Sequence, residues 1–186
     1  MGKSGCGKGT QAELLHKYLE DKKREVLYVT TGGNFREFIK SDTYTANKSK
    51  HLINSGGLMP EFLAIWNWST IFIDKIKGEE DIILDGAPRK IIEVEAILQA
   101  INFYEYKNIY VIYVNVSDGW AVQRLKDRGR SDDNQKEEQE RKMSWFKKDV
   151  MPCLELFKAN KSVNFTEVNG EQSVEDVHAE LISKLF

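Results

Sequence analysis

One segment near the start of the chain, Gly2-Lys-Ser-Gly-Cys-Gly-Lys-Gly-Thr10, places four glycines around Lys8 and runs into an amphipathic helix predicted over residues 10–21. Glycine lets the backbone take positive φ angles and approach an anion without Cβ clashes. Successive amide N–H groups can then point into the loop, and the helix adds the positive end of its dipole. The segment is typical of a phosphate-binding loop, with Lys8 among the β- and γ-phosphates of a nucleotide.

This loop departs from the usual G-x-x-x-x-G-K-[ST] pattern at one position. Gly9 stands where a hydroxyl residue normally follows the lysine, and Thr10 carries the hydroxyl one residue later. A Gly-rich turn that binds nothing is the alternative, but four glycines around a lysine at a helix start have little other structural use. We therefore predict that the donor nucleotide contacts Gly5, Cys6, Gly7, Lys8, Gly9 and Thr10.

Strands and helices alternate along the rest of the chain. Helical periodicity predicts two or three helices between residues 35 and 77, with Pro60 as the first residue (N1) of one of them, and a last helix over residues 174–185. Because parallel strands joined by helices are buried on both faces, this order predicts an α/β fold with a parallel sheet flanked by helices in three layers. The buried strands are predicted over residues 25–29, 81–84, 108–114 and 163–168.

The composition is that of one ordinary domain without a strong charge bias. The 186 residues include 27 Lys and Arg against 29 Asp and Glu, so no overall basic field would recruit nucleic acid or a membrane. We find no apolar run near the roughly 20 residues of a membrane span, and no secretory leader. Cys6 and Cys153 are too few for a disulfide framework or a Cys-rich zinc site, which favours a reducing cytoplasm.

A buried strand normally precedes a phosphate-binding loop, yet only Met1 stands before it here. That strand is central in a sheet of this kind, and its absence would leave unpaired edges in the core. We expect that the strand is missing through truncation or a misread start. An unusual element in its place is the alternative.

Five segments, in the same order along the chain, resemble motifs of adenylate kinases and related nucleoside monophosphate kinases. They are Gly7-Lys-Gly-Thr-Gln11, Thr30-Thr-Gly-Gly-Asn-Phe-Arg36, Gly56-Gly-Leu-Met-Pro60, Asp85-Gly-Ala-Pro-Arg89 and Arg128-Gly-Arg-Ser-Asp-Asp-Asn134. The resemblance implies a single P-loop nucleotide kinase domain over residues 1–186. Within it, a helical acceptor-binding region would lie at about 31–60 and a very short lid at about 128–134.

The resemblance also implies an activity, the transfer of the γ-phosphoryl group of ATP to a nucleoside monophosphate by a monomeric enzyme with Mg²⁺ and without zinc. AMP is the favoured acceptor, so that ATP and AMP would become two ADP. Arg124 would stack on the donor adenine. The acceptor would contact Thr31, Gly32, Arg36, Met59, Gly86, Arg89 and Glu93.

Arginines would supply most of the catalysis. Phosphoryl transfer concentrates negative charge on the migrating group, and a planar guanidinium reaches two oxygens at once without losing its charge. For any arginine taken alone, a solvated surface position is the alternative. By the same resemblance, the catalytic set is Lys8, Arg89, Arg128, Arg130 and Arg141.

Asp85 is the candidate metal residue. It ends a predicted strand, where a carboxylate can hold Mg²⁺ through water molecules. A turn residue before Gly86 is the alternative. The short lid has no cysteines, so it lacks the zinc knuckle of some long-lid relatives.

Two other functions stay open. One keeps the reaction and changes the acceptor to GMP, CMP or UMP, and the other is a nucleotide-binding module that does not catalyse. Small-molecule phosphotransferases of the same fold rank last, because they would not need the acceptor motif. A hydroxyl acceptor would also call for a general base, and the sequence offers no obvious one. A phosphate acceptor needs none, since its second pKa is about 6.

The choice of acceptor base depends on two residues. Thr31 matches the threonine of adenylate kinases and favours AMP, whereas Glu93 stands where the family has a glutamine that reads adenine. A glutamine donates to adenine N1 and accepts from the N6 amino group, while a carboxylate only accepts. Glu93 would therefore suit guanine or cytosine at least as well as adenine.

Two further expectations concern packing. The tryptophans Trp66, Trp68, Trp120 and Trp145 lie on predicted helices and are expected in the core rather than as stacking platforms. The Lys- and Glu-rich run over residues 136–142 is expected to form a solvated helix face, with Arg141 as the exception.

Overall fold

The strands form two parallel pairs in the computed structural model, which describes residues 1–129, 133 and 135–186. Strand β1 (Val26–Thr30) pairs with β2 (Asp81–Asp85), and β3 (Ile109–Asn115) pairs with β4 (Val163–Asn169). All four predicted strands are confirmed, with bounds that differ by at most one residue.

Helices connect the strands as predicted, and α2, α3 and α4 fill the segment where two or three were expected. A π-helical turn over Phe146–Val150 joins α7 to α8, and Pro60 is the N-cap of α4 rather than its first residue. Within the described ranges, none of the helices is both long and apolar enough to cross a bilayer. The helices are α1 (Lys8–Asp21), α2 (Thr31–Phe38), α3 (Tyr44–Asn54), α4 (Glu61–Lys75), α5 (Ile91–Phe103), α6 (Asp118–Arg128), α7 (Lys136–Trp145), α8 (Met151–Ala159) and α9 (Val174–Leu185).

Hydroxyl side chains set the first turns of four helices. The hydroxyl oxygens of Thr30, Thr43, Ser117 and Ser173 accept a backbone N–H three residues ahead, at 3.4, 3.1, 3.2 and 3.1 Å. Each bond satisfies one of the amides that an isolated helix start leaves without a partner. Since Thr30 also ends β1, its cap fixes the direction in which α2 leaves the strand.

Helices cover both faces of the strands, which confirms the three-layer prediction. On one face, α1 and α9 share a buried cluster that contacts Ile83 of β2 and Ile112 of β3. On the other face, α4 and α5 pack on Val29 of β1, while α5 and α8 pack on Val111 of β3. Because the cluster of α1 and α9 touches both strand pairs, one core joins them.

The single sheet expected from the sequence is instead two sheets of two strands. In the part of the chain that the structure describes, β2 and β3 are not paired with each other. Met1 lies beside β3: its amino group donates to the carbonyl of Ile112, and its own carbonyl accepts the Val114 N–H at 3.0 Å. Met1 thus pairs with β3 in the manner of a strand and leads the chain into Gly2.

The turns that follow the strands meet at one edge of the molecule. Strands in each pair run parallel, so their carboxyl ends point the same way, and this is the edge where α/β folds bind ligands. Thr31 follows β1, Gly86 follows β2, and the glycine-rich loop follows Met1. The backbone alone therefore places three of the predicted motifs at the same edge.

The loop glycines allow a test of this packing. Gly5 (φ 89°) and Gly7 (φ 88°) have the same left-handed backbone, but a Cβ on Gly5 would lie 2.4 Å from the carbonyl oxygen of Ala121 in α6. A Cβ on Gly7 meets nothing within 4 Å. We expect Gly5→Ala to destabilise the protein by roughly 1–3 kcal/mol more than Gly7→Ala, the usual range for overpacking. Thermal unfolding of the two variants measures the difference, and equal melting temperatures would contradict the close approach to α6.

Candidate active site

The glycine-rich loop lies directly on the backbone of β3 and α6. A Cβ on Gly2 would lie 2.6 Å from the carbonyl oxygen of Val114, and Gly5 approaches α6 as closely. Cys6 is only 3% exposed and packs beneath the loop. Because side chains at these glycines would collide with backbone atoms, the position of the loop is set by direct main-chain contact.

Lys8 turns back across the loop. Its ammonium group donates to the Lys3 carbonyl at 3.3 Å, and the Cys6 amide donates to the same oxygen at 3.2 Å. Gly7, which has no side chain, is the N-cap of α1, so the first amides of the helix face the loop. A cation beside a helix N-terminus suits an anionic ligand such as a phosphate chain.

A cavity of about 320 Å³ opens beside this loop. Its walls come from the loop, the first turns of α2, the junction of α3 and α4, the turn after β2, and the ends of α6 and α7. The structure thus brings together residues that are far apart in sequence. The predicted site residues that line it are Lys8, Gly9, Thr31, Gly32, Arg36, Met59, Asp85, Gly86, Arg89, Glu93 and Arg128.

Other predicted site residues lie outside the described walls of this cavity. Gly5, Cys6, Gly7 and Thr10 belong to the loop and its junction with α1. Arg124 is exposed, with its guanidinium carbon 5.3 Å from the ring centre of Trp120. Arg141 is also exposed and donates to the Ser55 carbonyl at 2.7 Å. Arg130 lies outside the described residues.

Two turns touch at the acceptor end of the cavity. The Thr31 hydroxyl donates to the Asp85 carbonyl at 3.2 Å. Gly86 has φ 91°, and a Cβ there would lie 2.5 Å from the Thr31 hydroxyl oxygen. Only glycine fits this contact, because the space above its Cα is already filled and its backbone angle disfavours side chains. The turns after β1 and β2 therefore form one surface.

A buried carboxylate, Asp133, binds the two basic residues that line the cavity at the ends of α6 and α7, Arg128 and Lys142. Asp133 is 1% exposed, and one of its oxygens accepts from Arg128 Nε at 2.9 Å and Nη2 at 2.6 Å. Its other oxygen accepts from the Lys142 ammonium at 2.6 Å. The Asp133 carbonyl also accepts from Gln139 at 2.8 Å. Buried charges need such partners, and these hold two cations at the cavity wall.

Lys142 is a lining residue that the sequence analysis missed. The prediction of a solvated face over residues 136–142 is wrong for Gln139 and Lys142, which are 4% and 5% exposed. A signal was present, because Gln139, Met143 and Phe146 follow the spacing of three or four residues that marks one helix face. Lys142 lies beside that stripe, and the carboxylate of Asp133 compensates the charge that its burial removes from water.

The tryptophans do not share one environment, so the expectation that all four are core residues is wrong. Trp68 is 2% exposed and belongs to the core, whereas Trp66 is 44% exposed. Trp120 contacts Arg124, as described above. Trp145 lines the cavity, with its ring centre 5.3 Å from the guanidinium carbon of Arg89.

Glu93 is a buried acid in the cavity wall. It is 3% exposed, and one carboxylate oxygen accepts the Arg89 backbone N–H at 3.2 Å. Burial raises the pKa of Glu93 above its usual range, although the Arg89 amide and the charges of Arg89 and Lys90 pull it down. The protonated form therefore persists to higher pH than in an exposed glutamate.

Asp85 fits a water-mediated magnesium site. Its carboxylate oxygen lies 3.4 Å from where a Cβ on Gly9 would be, directly beside the start of α1. Within the described residues, no three His, Cys, Asp or Glu side chains cluster closely enough to hold a metal by themselves. Mg²⁺ typically uses one or two carboxylates together with water and substrate phosphates, so a single acid facing the phosphate loop suits it.

Known proteins match this chain over most of its length. A family profile described as "Adenylate kinase" matches residues 1–162. "Adenylate kinase 1" of Nostoc sp. is 28% identical over 185 residues, which cover 100% of this chain and 96% of the relative. "Adenylate kinase" of Oenococcus oeni is 30% identical over 176 residues, covering 94% and 90%. The enzyme of that name from Encephalitozoon cuniculi is 28% identical over 183 residues, covering 97% and 93%.

The matches extend over the loop, the acceptor turns and the basic wall of the cavity rather than over one motif. They confirm the resemblance, the α/β kinase fold and the enzyme class predicted from the sequence. The chain belongs to the adenylate kinase family, phosphotransferases that use a nucleoside monophosphate as acceptor.

Proposed function

We propose that AMP is the preferred acceptor of this ATP-dependent phosphotransferase and that both nucleotides meet in the cavity beside the glycine-rich loop. One observation carries the proposal: Lys8 of the loop and Arg36 and Arg89 of the acceptor turns line the same cavity. A cation from the donor side and two from the acceptor side are what two phosphate chains need in order to approach each other.

Each wall has a role in this proposal. Lys8 and the amides of the α1 first turn hold the β- and γ-phosphates of ATP. Arg36 and Arg89 hold the acceptor phosphate, and Arg128 stabilises charge on the migrating group. The nucleophile is an oxygen of the acceptor phosphate, which is ionised near neutral pH because its second pKa is about 6. No side chain has to remove a proton from it.

Mg²⁺ fits beside Asp85 in this arrangement, bound through water, where it would neutralise charge on the donor phosphates. The carboxylate faces the start of α1, so it lies on the donor side of the cavity. The predicted absence of zinc, the monomeric state and the cytoplasmic location stay predictions.

Arg141 and Arg130 complete the proposed catalytic set in the closed enzyme. Arg141 donates to the Ser55 carbonyl and lies outside the described cavity walls, so we expect it to move when it contacts a phosphoryl group. Arg124 is proposed to stack on the donor adenine. Its guanidinium would then leave the Trp120 ring and contact the base instead. Such exchanges are typical of segments that close over substrate before chemistry.

The burial of Glu93, which raises its pKa and favours the protonated form, supports adenine as the acceptor base. A protonated carboxyl group donates through O–H and accepts through C=O, as a glutamine amide does. It can therefore donate to adenine N1 and accept from N6. An ionised Glu93 only accepts, which favours guanine, whose N1–H and N2–H both donate. GMP is thus the second candidate acceptor, favoured by this same residue at high pH.

The acceptor preference is tested directly by an assay of ATP with AMP, GMP, CMP and UMP in turn. We expect the highest kcat/KM with AMP, because Thr31 suits adenine and burial of Glu93 raises its pKa and so favours the protonated form that adenine needs. A higher kcat/KM with any other monophosphate would refute AMP as the preferred acceptor and leave the phosphotransfer itself intact.

Lys8→Met should lower kcat at least ~10²-fold with an unchanged melting temperature, since it removes a charge from the donor phosphates. Lys17→Met is the matched control, because Lys17 is an exposed lysine on the same helix. Steady-state rates and thermal unfolding of both variants give the comparison. Equal turnover in Lys8→Met and Lys17→Met would remove Lys8 from the catalytic set.

Glu93→Gln should make the ratio of kcat/KM for AMP to that for GMP independent of pH. In the parent, burial raises the Glu93 pKa, so this ratio should fall as pH rises through that value and the acid loses its proton. At the alkaline end of the profile, we expect the AMP-to-GMP ratio of the variant to exceed that of the parent by about tenfold, which is the effect of one hydrogen bond. Both acceptors carry the same phosphate, so its titration cancels from the ratio.

The ratio is measured from acid to alkaline pH, over the range in which the protein stays folded. Glu95→Gln is the control, because Glu95 is an exposed acid two residues along α5. The same pH profile in the parent and in Glu93→Gln would mean that Glu93 does not face the base.

A further inference from the structure

Trp145 joins two walls of the cavity. It is the last residue of α7, directly before the π-helical turn, and its side chain lines the cavity beside Arg89. Its ring centre lies 5.3 Å from the Arg89 guanidinium carbon. Its indole N–H donates to the Gly56 carbonyl at 3.2 Å. One side chain therefore contacts both a basic residue after β2 and the loop between α3 and α4.

We propose that Trp145 is a positioning residue for the acceptor phosphate, with its ring face holding the Arg89 guanidinium and its N–H holding the acceptor loop at Gly56. The inference rests on the proposed function, because Arg89 is assigned there to the acceptor phosphate. It adds a residue on α7, outside the motifs that the sequence analysis singled out.

A ring face suits this task better than a carboxylate would. It attracts a guanidinium through its quadrupole and brings no negative charge near the phosphate that the arginine has to bind. The Nε–H of the same guanidinium donates to the Gly86 carbonyl at 2.8 Å. Among the described residues, Trp145 and the Gly86 carbonyl therefore both orient this guanidinium before a substrate binds.

The acceptor loop packs tightly on α7 at the same point. A Cβ on Gly56 would lie 3.2 Å from the carbonyl oxygen of Glu138. Arg141 of α7 donates to the neighbouring Ser55 carbonyl at 2.7 Å. Because the loop and the helix are already in contact, the Trp145 N–H has a fixed acceptor, and the ring orientation over Arg89 follows from it.

The test compares Trp145→Phe, which keeps a ring face and loses the N–H, with Trp145→Leu, which loses both. We expect Trp145→Leu to raise the KM for AMP about tenfold and Trp145→Phe to raise it less, while the KM for ATP changes less than about twofold in both. Trp66→Leu is the matched control, because Trp66 is an exposed tryptophan outside the described cavity walls. Its ring centre lies 5.2 Å from that of Phe38, so it also contacts another side chain.

A double-mutant cycle with Arg89→Ala separates positioning from general packing. If Trp145 acts through Arg89, Trp145→Leu should change the KM for AMP less than about twofold once Arg89 is absent. An undiminished effect in that background, or equal effects on AMP and ATP, would overturn the proposal. So would a KM for AMP in Trp145→Leu equal to that of the parent.

Thermal unfolding of every variant shows whether it is folded at the assay temperature. Trp145→Met replaces the leucine variant in the cycle if leucine unfolds the protein, because its longer side chain fills more of the space. If the parent prefers another monophosphate, the same cycle is run with that acceptor. Failure of the AMP assignment is therefore distinguished from failure of the Trp145 proposal.

Discussion

Direct contact between the glycine-rich loop and neighbouring backbone holds the donor side of the site in place. Gly2 lies against a carbonyl of β3 and Gly5 against a carbonyl of α6, and neither position has room for a Cβ. Met1 extends the same contact as a hydrogen-bonded ladder beside β3. Since the loop is fixed there, Lys8 and the first turn of α1 lie at the carboxyl ends of the strands, where the acceptor turns also arrive.

The cations of the site are concentrated locally in a chain whose total charge is nearly balanced. Asp133 makes this concentration compatible with folding, because a buried carboxylate between Arg128 and Lys142 offsets their repulsion. It also orders both side chains before a substrate enters, so less reorganisation is needed when charge develops during transfer. A single buried acid thereby shapes the far wall of the cavity.

Tryptophan rings order two other arginines of the predicted site. Arg89 contacts Trp145 and Arg124 contacts Trp120, each at 5.3 Å from the ring centre. A ring orders a cation without cancelling its charge, which matters for groups that have to bind phosphates or bases. Glu93 illustrates the opposite case, in which burial rather than a partner controls whether the group is charged.

The sequence by itself determined the elements and the motifs, because both depend on neighbours along the chain. Strand bounds came from local apolar runs, and α9 spans Val174–Leu185 as predicted. Tertiary structure alone decided that Lys142 is buried, that Arg141 contacts Ser55 and that Trp145 faces Arg89. It also divided the expected sheet into two pairs. Each of these depends on contacts between segments far apart in sequence, and helical periodicity contains no information on what packs against a given face.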